Sequence, residues 1–152
     1  MKNSKKKFCI VTSSRADYGI LSNFLKTLSN KHHVKLIVTG THLSQKFGYT
    51  LREIKKDKIH IYKTVDIIPK GDSEHDISKT ISKAITKFSK IFKNINVDTL
   101  ILLGDRYEIF AAAVAASINR LKIAHIHGGE TTSNALDESF RHSITIMSHI
   151  HF

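Results

Sequence analysis

The stretch TLILLGDRYEIFAAAVAASINRLKIAHIH, residues 99–127, decides the fold. An apolar run, TLILLGD (99–105), gives way to a helical pattern over 107–120, and a second β-rich run, KIAHIH (122–127), follows. The ILLG segment is apolar on both faces, as a strand must be when helices cover it from both sides. Small side chains at Ala111 to Ala113, Ala115 and Ala116 let the intervening helix approach a sheet closely. Strand, helix and strand in that order make a parallel pair, because a crossover of this length returns the chain in the same direction.

Working outward, the same alternation repeats. Strands are predicted at 6–12, 34–40 and 59–66, and helices at 17–30, about 49–57, 76–93 and 137–147. Repeated βαβα units predict an α/β fold, a doubly wound parallel sheet of Rossmann-like, three-layer design. In ISKTISKAITKFSKIF the residues Ile77, Ile81, Ile85, Phe88 and Phe92 recur at helical spacing, with Lys79, Lys83, Lys87 and Lys90 on the other side. That is the stripe of a sheet-covering helix rather than of a membrane-surface one. The closing HIHF reads as the start of a further strand. Many such folds close the crevice beyond their strand ends with a second domain, so residues 1–152 are expected to be the N-terminal domain of a longer, two-domain enzyme.

At 152 residues the chain has room for one domain, which can bury about 68–70% of its unfolded surface. The lone Cys9 excludes an intramolecular disulfide, so a reducing cytoplasm is the expected location. No apolar run approaches the roughly 18 residues that span a bilayer. Lys2 and Lys5 to Lys7 imitate a signal sequence, but the apolar FCIVTSS after them is too short. The net charge of +11 invites a nucleic-acid reading, and its distribution argues against it: residues 1–70 carry +11, residues 71–100 carry +1 and residues 101–152 carry −1. Nineteen of the 24 cations are Lys, whereas phosphate forks and base edges favour Arg. Neither nucleic acid nor membrane is expected as a partner; a solvated basic surface steering an anionic metabolite is.

In a doubly wound sheet the site forms just past the strand ends. Three loops carry suitable residues. TSSRADYG (12–19) has neither G-x-G-x-x-G nor G-K-[ST], so a dinucleotide fingerprint and a P-loop are both absent. Arg15 there either holds phosphate beside a helix N-terminus or is a surface charge next to a cap made by Ser13, Ser14 or Asp17. In LLGDRYE (102–108), Asp105 is either a helix cap or a crevice carboxylate, with Arg106 an anion ligand beside it. In AHIHGGE (124–130), His125 and His127 alternate and should share a strand face; Gly128 and Gly129 let backbone approach a ligand, and Glu130 follows. Asp137, Arg141 and His142 open the next helix, with Asp137 and Arg141 on one face and Arg141 expected, like Arg15 and Arg106, to contact the substrate. Gathered in one crevice, Asp105, His127, Glu130, Asp137 and His142 would supply several groups able to move protons near neutral pH. G-D-x-x-[DE] at 104–108 lacks the partner motifs of metallophosphoesterases, so no metal site is expected. His42, His32, His33 and His60 read as loop or surface histidines, although THLS (41–44) follows the second strand and could reach the crevice.

Taken in order, SSRADYG (13–19), VTGTHLSQKFGYT (38–50), LLGDRYEIFAAAVAA (102–116), IAHIHGGE (123–130) and DESFRHSIT (137–145) resemble the hydrolysing UDP-N-acetylglucosamine 2-epimerases, which make N-acetylmannosamine for sialic-acid synthesis. The resemblance covers nearly the whole chain. It implies the first half of a GT-B type enzyme of two Rossmann-like domains, a UDP-sugar substrate, no redox cofactor or metal, and a homo-oligomer when full length. It places Arg15 and Arg106 at nucleotide-sugar contacts and Asp105 and Asp137 at acid/base carboxylates. It also implies C2 deprotonation, anti loss of UDP and addition of water. The broader family has H-x-E-x-G where this chain has His127, with Glu130 three residues on, so either His127 or Glu130 takes the second acid/base role. A related branch acts on a UDP-linked 2,4-diacetamido-trideoxy sugar on the way to legionaminic acid. The rival of a different class is a non-catalytic anion-binding α/β module.

Overall fold

A computed structural model describes residues 4–131 and 136–152. Six parallel strands form one sheet: β1 (Lys7–Thr12), β2 (His33–Thr39), β3 (Ile61–Val65), β4 (Thr99–Leu103), β5 (Ile123–Ile126) and β6 (Ile150–His151). Their order is β3-β2-β1-β4-β5-β6, so the winding reverses between β1 and β4. The helices are α1 (Arg15–Lys31), α2 (Leu51–Lys56), α3 (Glu74–Phe92), α4 (Tyr107–Ile118) and α5 (Leu136–Met147). Two short 3-10 turns, Gly40–Leu43 and Gln45–Phe47, lie between β2 and α2. This is the doubly wound α/β architecture, with the HIHF segment present as β6 beside β5.

Side chains alternating along the strands feed two cores. Cys9, Val11, Ile37, Leu100, Leu102 and Ile123 meet α3, α4 and α5 on one face. Ile10, Leu36, Val38, Ile101, Leu103 and Ala124 meet α1 and α2 on the other. All five residues of β4 are buried, which is why TLILL shows no polar alternation. Helix α4 sits between α3, α5 and the sheet, so its alanines are buried around most of its circumference.

The stripe expected on α3 is displaced. Thr80, Ala84, Phe88 and Phe92 are its buried line, and Ile81 and Ile85 flank it half-buried, because the small Thr80 and Ala84 let the helix lie against α4. The two faces are also unequally covered. Beyond α1, the face carrying Ile101, Ala124, Ile126 and Ile150 is an apolar groove of about 440 Å³, walled by Phe8 and Phe24. No helix of the described residues is long and apolar enough to cross a membrane.

Candidate active site at the strand ends

The reversal of winding between β1 and β4 opens a crevice at their carboxyl ends, and polar side chains collect there for that reason. After β1, Ser14 caps α1 by accepting a bond from the Asp17 amide at 3.3 Å. The Asp17 carboxylate in turn accepts from the Ser13 hydroxyl at 2.8 Å. Arg15, on the first turn, is well exposed and ion-paired to Glu53 of α2 at 3.3 Å. Of the three candidate caps in this loop it is Ser14 that caps α1, which leaves the part played by Arg15 open.

After β4 the chain turns through Gly104, at φ +77°, and α4 starts with no side-chain cap. The Asp105 carboxylate makes no helix cap; it pairs with Arg141 of α5, accepting from Nε at 2.9 Å and also from Nη2. Arg141 Nη1 donates to the Glu130 carbonyl at 2.9 Å. This buried guanidinium therefore ties the β4–α4, β5–α5 and α5 segments together. Three of its five N–H donors go to these internal bonds, so Arg141, expected as an anion ligand, also braces the strand ends.

Arg106 has a different partner. Its Nε and Nη2 donate to Glu108 at 3.2 and 3.0 Å, using two of a guanidinium's five donors. Glu108 is buried, and burial pushes its carboxyl above the usual range while Arg106 pulls it back. Gly40 packs against this pair: a Cβ there would come within 2.9 Å of Glu108 Oε1 and 2.6 Å of the Ser13 carbonyl. Glycine at 40 is required twice, by that approach and by its φ of +60°. The acid of the 104–108 string is thus a fixed support for Arg106.

His125 and His127 do not share a strand face, contrary to the alternation. β5 ends at Ile126, and His127 turns to φ +59°, leaving the strand. His127 is half exposed and its Nδ1 lies 3.1 Å from Glu130 Oε1. His125 is fully buried, with Nε2 2.8 Å from the Gly104 carbonyl and Nδ1 3.1 Å from the Thr145 hydroxyl. Burial lowers its pKa. His42 lies in the turn just past β2, as a loop histidine would, but it is buried rather than exposed. Thr12 and Thr50 engage its two ring nitrogens, and desolvation brings its pKa down to about 4.

Contacts thus connect Asp105, Arg141, Glu130 and His127. On α5, Asp137 is exposed, and among the described residues no hydrogen bond or ion pair joins it to Asp105, His127 or Glu130. His142 turns outward toward Glu138 at 3.5 Å. Glu108 is the group sequence reasoning passed over; His125 was paired with His127 without a role of its own, and His42 was read as a loop or surface histidine. Glu108 carried a signal, being the sole charge in the apolar YEIFAAAVAA segment, and His42 lies directly past β2. Among the described residues no group of three or more His, Cys, Asp or Glu could hold a metal ion.

The sequence family described as UDP-N-acetylglucosamine 2-epimerase matches residues 26–152. A hydrolysing GDP/UDP-N,N'-diacetylbacillosamine 2-epimerase of Campylobacter jejuni is 39% identical over 98% of this chain and 39% of its own. A polysialic acid biosynthesis protein of Escherichia coli is 42% identical over 96% of this chain and 38% of its own. The chain thus spans about two-fifths of the length of these relatives. Among solved structures, a UDP-GlcNAc 2-epimerase from Neisseria meningitidis bound to UDP-GlcNAc superposes with a TM-score of 0.82 at 20% identity, over 96% of this chain and 39% of the other. At that identity the match speaks for the shared fold.

Proposed function

The chain belongs to the UDP-N-acetylglucosamine 2-epimerase family, and from that premise we propose that it is the N-terminal Rossmann-like domain of a two-domain, hydrolysing UDP-sugar 2-epimerase. The observation carrying this reading is the Asp105 carboxylate, held by Arg141 at the strand ends, one residue from an arginine whose fork is itself fixed by a buried glutamate.

The proposed reaction follows from the chemistry a 2-epimerase must perform. A carboxylate, Asp105 or Asp137, takes the weakly acidic C2 proton, and the C1–O bond to the diphosphate breaks on the opposite face as a C1–C2 double bond forms. Water then adds, hydroxyl to C1 and a proton to the other face of C2, with His127 or Glu130 as the second acid/base group. Arg106 and Arg15 supply charge to the departing diphosphate, and with Glu108 fixing its fork Arg106 needs little reorganisation as negative charge develops. His142 is a reserve proton donor on α5. No redox cofactor is needed, because elimination and hydration leave the oxidation state of the sugar unchanged overall, and the charge on the departing diphosphate is assigned to the arginines rather than to a metal. UDP-GlcNAc, giving N-acetylmannosamine and UDP, is the first substrate; a UDP-2,4-diacetamido-2,4,6-trideoxyhexose is the second, favoured by the 39% identity to a diacetylbacillosamine epimerase. A cytoplasmic location and a homo-oligomer in the two-domain form complete the proposal.

The test is a two-domain form incubated with each UDP-sugar in deuterated water. UDP release with deuterium at C2 is expected, with rates for the two sugars assigning the substrate; binding without turnover would instead indicate an anion-binding module. Asp105→Asn and Asp137→Asn are each expected to lower kcat by about 10²-fold or more, and retained activity in either removes that residue from the chemistry. The 152-residue chain alone is expected to show little or no turnover, since uridine contacts should come from the second domain.

A further inference from the structure

His125 lies outside the groups assigned above, yet its contacts close a ring around Asp105. The Gly104 carbonyl can only accept, so the imidazole nitrogen 2.8 Å from it, Nε2, carries the proton. That carbonyl belongs to the peptide unit whose other end is the Asp105 amide nitrogen, and Gly104 holds this unit at φ +77°. The second ring nitrogen, Nδ1, therefore bears no proton and can only accept, and the Thr145 hydroxyl 3.1 Å away has one proton to give, to Nδ1 or to the Arg141 carbonyl 3.0 Å from it. Arg141 returns to Asp105 through its guanidinium. With the Thr145 proton given to Nδ1, helix α5 itself joins Thr145 to Arg141 one turn earlier, and the ring from His125 through Gly104, Asp105, Arg141 and Thr145 closes through covalent connections and hydrogen bonds.

We propose that His125 is a positioning residue for Asp105, setting through Gly104 the peptide unit from which the carboxylate springs and through Thr145 the helical turn that aims Arg141 at it. Gly128 seals this ring. A Cβ on Gly128 would lie 2.7 Å from His125 Nδ1 and 2.8 Å from Thr145 Oγ1, directly over their bond. Gly128 does not have a positive φ, so an alanine there brings a methyl against the bond without backbone strain. Burial keeps the imidazole largely neutral, as donation to one carbonyl and acceptance from one hydroxyl require. The inference rests on the epimerase reading only for the chemical use of Asp105; the geometry it asserts is independent of turnover.

The experiment uses the 152-residue chain labelled with nitrogen-15 and follows solvent exchange of the Arg141 Nε–H that donates to Asp105. His125→Phe and Gly128→Ala are expected to speed that exchange about tenfold, one neutral hydrogen bond's worth, while sheet amides of β1 and β2 keep their protection. His125→Gln, whose amide can donate to the Gly104 carbonyl, is expected to restore exchange to within about threefold of the parent, short of one lost bond. Unchanged Arg141 exchange in His125→Phe overturns the proposal. So does a loss of protection spread evenly over the sheet in all three variants, which would make His125 a packing residue. If Arg141 responds as expected while no deuterium enters C2 in a two-domain form, the positioning role stands and the epimerase reading falls.

Discussion

His42 has both ring nitrogens engaged by threonine hydroxyls in a site closed to water, and that arrangement fixes its response to acid. Folded, it stays neutral down to about pH 4; unfolded, it takes up a proton near 6.5. Between those values the unfolded chain binds more protons, so the stability His42 contributes is full above pH 6.5 and is lost as pH falls toward 4. The loss is at most about 3 kcal/mol. Thermal melts at pH 7 and 4.5 should show a smaller pH dependence in His42→Gln than in the parent; equal slopes would rule this out. Gly40 gives a second residue-scale expectation. Gly48 also has a positive φ, but nothing lies within 4 Å of where its Cβ would be. Gly48→Ala is expected to cost only the left-handed strain, about 1–2 kcal/mol. Gly40→Ala adds the collision with Ser13 and Glu108, a further 1–3 kcal/mol or so. Urea unfolding midpoints measure both, and equal losses would mean the cleft at Gly40 yields. Sequence marked Gly40 only as the end of a predicted strand, because a close approach between three segments has no local pattern.

At the scale of elements, helix ends divide by how they are satisfied. Helices α1 and α3 begin with serine caps, Ser14 and Ser73, that accept from the amides of Asp17 and Asp76. Helix α4 begins at Arg106 with no side-chain cap, and its preceding acid is committed to α5 instead. Ser14→Ala should therefore destabilise by about 1 kcal/mol, lowering Tm by roughly 2–4 °C, whereas Asp105→Ala removes no cap and acts by releasing Arg141. Differential scanning calorimetry, with Arg141 exchange as the companion readout, separates the two effects. A Ser14→Ala melt indistinguishable from the parent would mean water replaces the cap. The strand and helix positions were legible because apolar runs and helical spacing are local. The offset of the α3 stripe was not, since which of two adjacent lines a helix buries depends on the partner it meets. The left-handed turn at His127 likewise broke a strand alternation that the letters alone would continue.

At the scale of the whole molecule, the sheet's unequal cover has a measurable consequence. The groove over Ile101, Ala124, Ile126 and Ile150 presents apolar surface to solvent in the 152-residue chain. An environment-sensitive apolar dye should bind the folded chain at neutral pH with enhanced fluorescence, and Phe24→Ser with Ile126→Ser should reduce it. Absence of enhancement in the parent would mean the groove closes in solution. Chain order and hydrophobic period alone determined the α/β class, the parallel sheet, the order of elements and the loops where polar residues would collect, because each depends on neighbours along the backbone. Only the tertiary structure decided that Arg141 is spent on Asp105 and the Glu130 carbonyl, that Glu108 braces Arg106, and that His42 and His125 are buried. Those pairings join residues up to 36 positions apart, and a side chain's partner is selected by packing in space, for which a linear sequence carries no local sign.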